Sequence, residues 1–191
     1  MTATHLVTAT TTPPTTTRAA AHAAFGDADR AIRIGSVPTP TPGPGHVLVK
    51  VEAAGISIGD WLVMHGLPYI ARPAHGLLSP KHPVLGQELA GTIVAVGADA
   101  GDGLAPGDRV LGFAQGAFAG YAVAAPENLV LTPEGVDSTV AAAVPVSGLA
   151  AYQAVVKAGG GTAGQRLLVL GASGAVGTFA VQVGKAIGMQ V

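Results

Sequence analysis

RLLVLGASGAVGTFAVQVGK, residues 166–185, places the apolar run Leu167 to Leu170 ahead of a glycine-rich turn and a stretch of helical spacing. A short apolar run bounded by turn residues reads as a buried strand. Val176, Phe179, Ala180 and Val183 recur three or four positions apart and share one face of a helix expected from about 176 to 187. With a turn at Gly164 before it and another strand starting at Met189, the segment spells β-α-β. Glycines at such a strand-to-helix turn let a pyrophosphate reach the backbone, where the free N–H groups of the first helical turn and the helix dipole favour negative charge. The usual spacing is Gly-x-Gly-x-x-Gly; here Ala172 stands in the first place and Gly174 and Gly177 in the second and third. Ala172, Ser173, Gly174, Ala175, Val176 and Gly177 are therefore the cofactor-binding candidates. Only 14 residues follow Gly177, and a Rossmann domain takes about six strands. Residues 136–191 are expected to be its first part, so the chain reads as an N-terminal fragment, inactive alone and either aggregation-prone or dependent on a partner.

Upstream the rhythm is different. A Pro/Gly-rich turn from Pro38 to Gly45 leads into Val47, Val49 and Val51 alternating with Lys50 and Glu52, the pattern of a half-buried strand. AGTIVAVG, DRVLGF, GYAVAA and NLVLTP follow as short apolar segments separated by Gly, Pro and Asp, the spacing of a β-barrel or sandwich. Residues 19–135 are expected to be all-β. Between Val136 and the glycine turn, alanine-rich sequence interrupted at Pro145 predicts two helices, with Asp137 and Ser138 as caps. Residues 1–18, rich in Thr and Ala, read as a disordered tail; a transit peptide is the lesser alternative, with Arg18 its sole basic residue besides histidine.

Composition excludes several classes. Ten Lys and Arg against 11 Asp and Glu give a net charge of -1, so no bulk charge recommends nucleic acid or an anionic membrane as partner. No apolar run reaches the roughly 18 residues of a membrane span. There is no cysteine, which removes disulfides, thiolate catalysis and Cys-containing zinc sites. A cytoplasmic protein acting on a small-molecule substrate is expected.

Three motifs carry a resemblance. GQELAGTIVAVG matches a Gly-His-Glu-x-x-Gly-x5-Gly block at Gly86, Glu88, Gly91 and Gly97; PGDRV matches a turn at Gly107 and Asp108; ASGAVGTFAVQVGK matches through Gln182 and Lys185. From about Ala19 to Val191 the chain resembles the medium-chain dehydrogenase/reductase superfamily, in its zinc-free quinone-oxidoreductase-like branch. The resemblance implies a GroES-like β-barrel catalytic domain followed by a Rossmann domain, with NADP(H) favoured as cofactor over NAD(H), and a homodimer when full length.

Zinc-dependent members carry Cys where this chain has Ser57, His where it has Gln87, and a third ligand near Pro145 to Ser147, where it has none. A hydroxyl and a neutral amide do not replace thiolate and imidazole, so no metal is expected. Something else must then stabilise charge on the substrate oxygen as hydride arrives. Hydrogen-bond donors do this, and Ser57, Tyr69 and Gln87 are the catalytic candidates, the resemblance implying that the AGISIGD loop with Ser57, and Tyr69 of GLPY, lie beside substrate and nicotinamide. The reading is a zinc-independent NAD(P)H-dependent oxidoreductase acting on a quinone, an enone or enoyl group, or a related carbonyl. The alternatives are a catalytically inactive truncated chain serving as a binding or structural module, and a zinc-type alcohol dehydrogenase with altered ligands. Asp60 and Trp61 are read equally as cleft residues or as a helix cap and packing. His65, His75 and His82, spaced ten and seven apart, fit no common ligand pattern and read as surface residues.

Overall fold

The computed structural model describes residues 12–101 and 103–191. They divide into two compact units, one ending at Ala142 and one covering Ala143–Val191.

In the first unit β1 (Thr16–His22) and β2 (Ile32–Pro38) pair antiparallel across the one-turn helix α1 (Ala28–Ala31). β3 (Val47–Ala54) leads through α2 (Ile58–His65) and α3 (Arg72–His75) to β4 (Glu88–Val96), β5 (Arg109–Phe113), β6 (Tyr121–Ala124), β7 (Leu129–Leu131) and α4 (Ser138–Ala142). The last five strands form one antiparallel sheet in the order β6-β3-β4-β5-β7. Both sheets are open, which corrects the expected closed barrel. Closing a sheet needs strands long enough to tilt and stagger around an axis, and edge strands β6 and β7 have only four and three residues. Isolated bridges, Ala19 to Ala119 and Ala21 to Val84, tie β1 to the rest.

Val47, Val49, Leu89, Ile93, Val110 and Leu129 form the main core, filled out by alanines. The half-buried reading of β3 holds only from Lys50 onward, because Val47, Leu48 and Val49 are all buried. Both faces of the sheet are therefore covered at the first three residues of β3. Two register shifts kink β3 against β4, as bulges do. Beside the second, a Cβ on Gly91 would lie 2.1 Å from the Lys50 carbonyl oxygen, so this motif glycine serves close backbone approach.

Two expected boundaries move. The tail was expected to reach residue 18, yet Thr16 to Arg18 already belong to β1; residues 1–11 lie outside the described residues. α4 belongs to the first unit, where Ala141 and Ala142 pack on Ala90, Ala53 and Leu111. Ser138 donates to Glu52 Oε2 at 2.6 Å and Thr92 donates to Oε1 at 2.7 Å, tying α4, β3 and β4 through one carboxylate. Those bonds hold the Glu52 carboxyl below its ordinary value.

The second unit contains α5 (Pro145–Tyr152), continued by a wider π-helical stretch at Gln153–Ala158, and α6 (Ala175–Ala186). The break near Pro145 falls between α4 and α5, as expected, and α6 lies within one residue of its expected span. Ala151, Val155 and Ala180 are the buried centre, with Leu167, Val169, Phe179 and Val183 against them. The expected strand at Leu167 to Leu170 is not a regular one. A single parallel bridge, Arg166 to Gln190, is present, and Leu168 and Leu170 are 83% and 85% exposed. Alternation points Leu167 and Val169 at the helices, but one bridge is not a ladder, so the parallel sheet of a Rossmann domain is not formed.

Candidate functional site

The first unit builds its site where β3 turns into α2. Ser57 is the residue before the helix, in extended conformation, and both its N–H and its hydroxyl donate to Asp60 Oδ2, at 2.8 and 2.9 Å. The Ser-x-x-Asp spacing is a capping pattern, so helix formation itself brings the two side chains together. Asp60 is only 4% exposed, and its second oxygen, Oδ1, has no hydrogen-bond partner. Gln87 enters from the other side, just ahead of β4. A Cβ added to Gly59 would lie 3.1 Å from Gln87 Nε2 and 3.3 Å from Ser57 Oγ. Amide and hydroxyl therefore converge over the bare α-carbon of Gly59.

A cavity of about 280 Å³ opens beside this cluster, lined among others by Asp60, Gln87, His22, His82 and Phe113. It shares His82, Phe113, Gln115 and Asn128 with a larger groove of about 660 Å³. His75 also faces the cavity, so His75 and His82 are not the plain surface residues expected from sequence. Burial pushes the His22 and His82 imidazoles below their ordinary value, against the Met64 carbonyl in the first case and with help from Lys81 in the second. His65 does stay outside: it stacks on Trp61, and the Trp61 carbonyl, with Asp27 at 3.2 Å, raises it.

Two of the three catalytic candidates, Ser57 and Gln87, are thus brought together. Tyr69 is not part of that cluster. It is 70% exposed, lines neither cavity, and lies against the Arg72 guanidinium, 4.8 Å from its ring centre. Ser57 also differs from expectation, since its hydroxyl proton is already engaged by Asp60. Sequence reading left Asp60 undecided and missed His22, which comes from a strand 38 residues away in sequence. The Ser-x-x-Asp spacing was a legible signal for the first; nothing local signals the second.

As to a metal, a hydroxyl turned onto a carboxylate and a primary amide are poor zinc donors. Among the described residues no group of three or more His, Asp or Glu side chains is placed to hold a metal ion.

The second unit carries the glycine turn. Gly174 immediately precedes α6 in extended conformation, leaving the first N–H groups of the helix, from Ala175 to Gly177, without partners inside it. The two glycines differ in their surroundings. A Cβ on Gly177 would sit 2.2 Å from the Gly171 carbonyl oxygen, so Gly177 is required for the turn to close. A Cβ on Gly174 would meet only that oxygen, at 3.4 Å, and otherwise open space. Ala172, Ser173, Ala175 and Val176 are exposed around it. Thr178, absent from the sequence candidates, donates to the Gly174 carbonyl at 2.9 Å and steadies the turn. This open, donor-rich cradle fits a dinucleotide's pyrophosphate.

Comparison with known proteins gives consistent results. Residues 43–134 match the alcohol dehydrogenase GroES-like domain. Erythronolide synthase of Saccharopolyspora erythraea is 39% identical over 147 residues, which are 77% of this chain and 4% of that protein. A chloroplastic quinone oxidoreductase of Triphysaria versicolor is 32% identical over 178 residues, 88% of this chain and 52% of its own. The solved quinone oxidoreductase from Coxiella burnetii matches with a TM-score of 0.79 at 26% identity, over 91% of this chain and 55% of that one. The chain spans about half the length of these quinone oxidoreductases.

Proposed function

Because the chain belongs to the medium-chain dehydrogenase/reductase superfamily, among its quinone oxidoreductases and enoyl reductases, we propose that the full-length protein is a zinc-independent oxidoreductase. It reduces a quinone, an enone or enoyl group, or a related carbonyl, with NADPH as the favoured cofactor and NADH the alternative. The observation that carries this reading is the convergence of Gln87 Nε2 and Ser57 Oγ over Gly59, beside a cavity of substrate dimensions.

The reduced nicotinamide, when bound, supplies the hydride. The chain's own groups bind and polarise. Gln87 Nε2 makes no hydrogen bond to another described residue, so it is free to donate to a substrate oxygen on which charge develops, where a preorganised donor is worth a few kcal/mol. Ser57 adds a second donor once its hydroxyl rotates off Asp60, at a cost of about 1 kcal/mol for the bond given up. Tyr69 stays an expectation of the resemblance, and its exposed place in the first unit lends it no support. In the second unit the N–H groups of Ala175, Val176 and Gly177 receive the pyrophosphate, Ala172 and Ser173 flank it, and Gly174 leaves room for it. Residues 143–191 are in this reading the opening of the Rossmann domain, and the full-length protein is a homodimer working in the cytoplasm on a small-molecule substrate.

The test is oxidation of NADPH by the full-length protein with a quinone or an enone, repeated after treatment with a strong chelator. Turnover unchanged by the chelator is expected. No oxidation with either substrate class would overturn the reading, and activity lost with the chelator and restored by zinc would replace it with the zinc-type alcohol dehydrogenase.

A further inference from the structure

Two hollows of the first unit open into one another. The 280 Å³ cavity beside Gln87 and the groove of about 660 Å³ share His82, Val84, Phe113, Ala114, Gln115 and Asn128 as a common wall. Pockets for drug-sized ligands run from about 300 to 1,000 Å³. The cavity alone therefore suits a reacting headgroup, a single quinone ring or an enone, and the groove beside it has room for an appendage larger than that headgroup. The wall of the groove tells what the appendage is. It contains no Asp, Glu, Lys or Arg, and beyond the shared stretch it is built mainly from Val37, Pro38, Pro40, Pro83 and the run from Tyr121 to Ala125. Of the polar side chains there, His46 meets the Pro44 carbonyl through Nδ1 at 2.9 Å, and His82, where the two hollows join, is held towards the neutral form by burial.

Such a wall does not repay the desolvation of a charged or hydroxyl-rich group, whereas the hydrophobic effect draws methylene groups onto it. The join with the cavity fixes the other end of the ligand. A carbonyl that accepts from Gln87 leaves the rest of the molecule to run past Phe113 and His82 into the groove. Resting on the oxidoreductase reading, we propose that the groove is a substrate subsite for an aliphatic tail. The substrate class is then an alkyl-tailed enone, enoyl compound or quinone, in preference to its untailed parent.

The experiment measures, by titration calorimetry without cofactor, the binding of three enones to the full-length protein. One carries a methyl group, one an octyl chain and one an oligoethylene glycol chain of the octyl length. Complete burial of a methylene is worth about fourfold in affinity and half-burial about twofold. The octyl compound is therefore expected to bind about 100-fold more tightly than the methyl compound, and the glycol compound no more tightly than the methyl one. Val123 lines the groove and is half-buried, while its neighbours Ala122 and Ala124 belong to the main core. Val123→Trp should remove most of the octyl advantage and leave the methyl enone's affinity unchanged, with thermal unfolding confirming that the variant is folded; Val37→Trp, from β2, replaces it if it does not fold. Equal affinities of the methyl and octyl enones, as when another segment or a second copy of the chain covers the groove, would overturn the proposal. So would an octyl advantage that the glycol chain shares, one that survives the tryptophan, or no binding of any of the three. NADPH oxidation is scored separately: tail-dependent binding without turnover would sink the oxidoreductase reading and leave the groove standing as a binding site, whereas turnover without tail dependence would do the reverse.

Discussion

The two units offer ligands different parts of the chain. In the first, side chains do the work: Ser57, Asp60 and Gln87 are held by a capped helix and a core whose large members, Leu89, Ile93 and Val110, are buried. In the second, the backbone does it: Ala172 and Ala175 have nothing polar beyond the main chain, and the value of the turn lies in N–H groups and in glycines lacking a Cβ. Side-chain chemistry tolerates no change of residue type but some change of packing. Backbone chemistry is indifferent to residue type wherever the space stays open. The contrast predicts where each unit breaks.

The largest effect should come from Leu89→Ala. The residue is fully buried at the centre of the five-stranded sheet, and a Leu to Ala cavity costs about 2–5 kcal/mol. Chemical denaturation of the full-length protein should show it, with the GroES-like portion unfolding first. A loss under 1 kcal/mol, by the same reasoning about cavities, would mean that the core is not organised around β4.

Next in size is the loss of turnover in Gln87→Leu, expected at about 100-fold, as for removal of one preorganised donor. Gln87 is exposed and makes no side-chain bond to the protein, so its melting temperature and cofactor affinity should not move. Ser57→Ala should cost less in turnover and more in stability, because it removes the partner of Asp60 and the helix cap, worth about 1 kcal/mol. Equal losses in both variants would erase the distinction between a free donor and an engaged one.

The glycines sharpen the backbone half of the comparison. Gly177→Val drives a Cβ into the Gly171 carbonyl and should destabilise the turn and weaken the cofactor together. Gly174→Val finds open space and should leave stability unchanged while lowering cofactor affinity about 100-fold, equivalent to one or two lost charge-assisted bonds. Binding of NADPH followed by fluorescence, beside thermal melts, separates the two. Unaltered affinity in Gly174→Val would mean that the pyrophosphate does not sit there.

What was legible in the sequence follows the same division. Local periodicity located β3 to β7, the helix break at Pro145 and the start of α6, because each is fixed by neighbours a few residues apart. Whether the sheet closes was not legible: that depends on the lengths of β6 and β7 and on their pairing. Leu48 reads as the odd member of an alternating strand and is nevertheless buried, because tertiary packing covers that face of the sheet as well. The Ser57 to Asp60 pair was within reach as a capping pattern, whereas the engagement of the Ser57 hydroxyl proton needed coordinates. His22 joins Gln87 at one cavity only through tertiary structure, and Tyr69 shows the converse, a residue adjacent in sequence to the site that the first unit leaves exposed against Arg72.

The smallest expected effect concerns pH, and it tests whether the cavity wall is dry. Burial lowers the His22 and His82 pKa values from an ordinary 6.5. The unfolded chain therefore takes up protons first as pH falls, and stability drops through 6.5 towards the lowered folded values; above 6.5 this penalty is absent. His65 works the other way, adding stability below 6.5 that is lost as pH rises through its raised value. Its partner Asp27 is exposed, so the share of that ion pair is screened and minor. Glu52 and Asp137 are lowered carboxylates whose contribution is lost only at more acid pH, below their ordinary 4.5 and 3.8. Between about pH 7.5 and 5.5 the imidazoles alone are in play. The melting temperature should fall over that window, and His22→Gln, which keeps a donor for the Met64 carbonyl but cannot charge, should flatten the slope. A wild-type melting temperature that rises on acidification would show that His65 outweighs the buried pair and that water reaches the cavity wall.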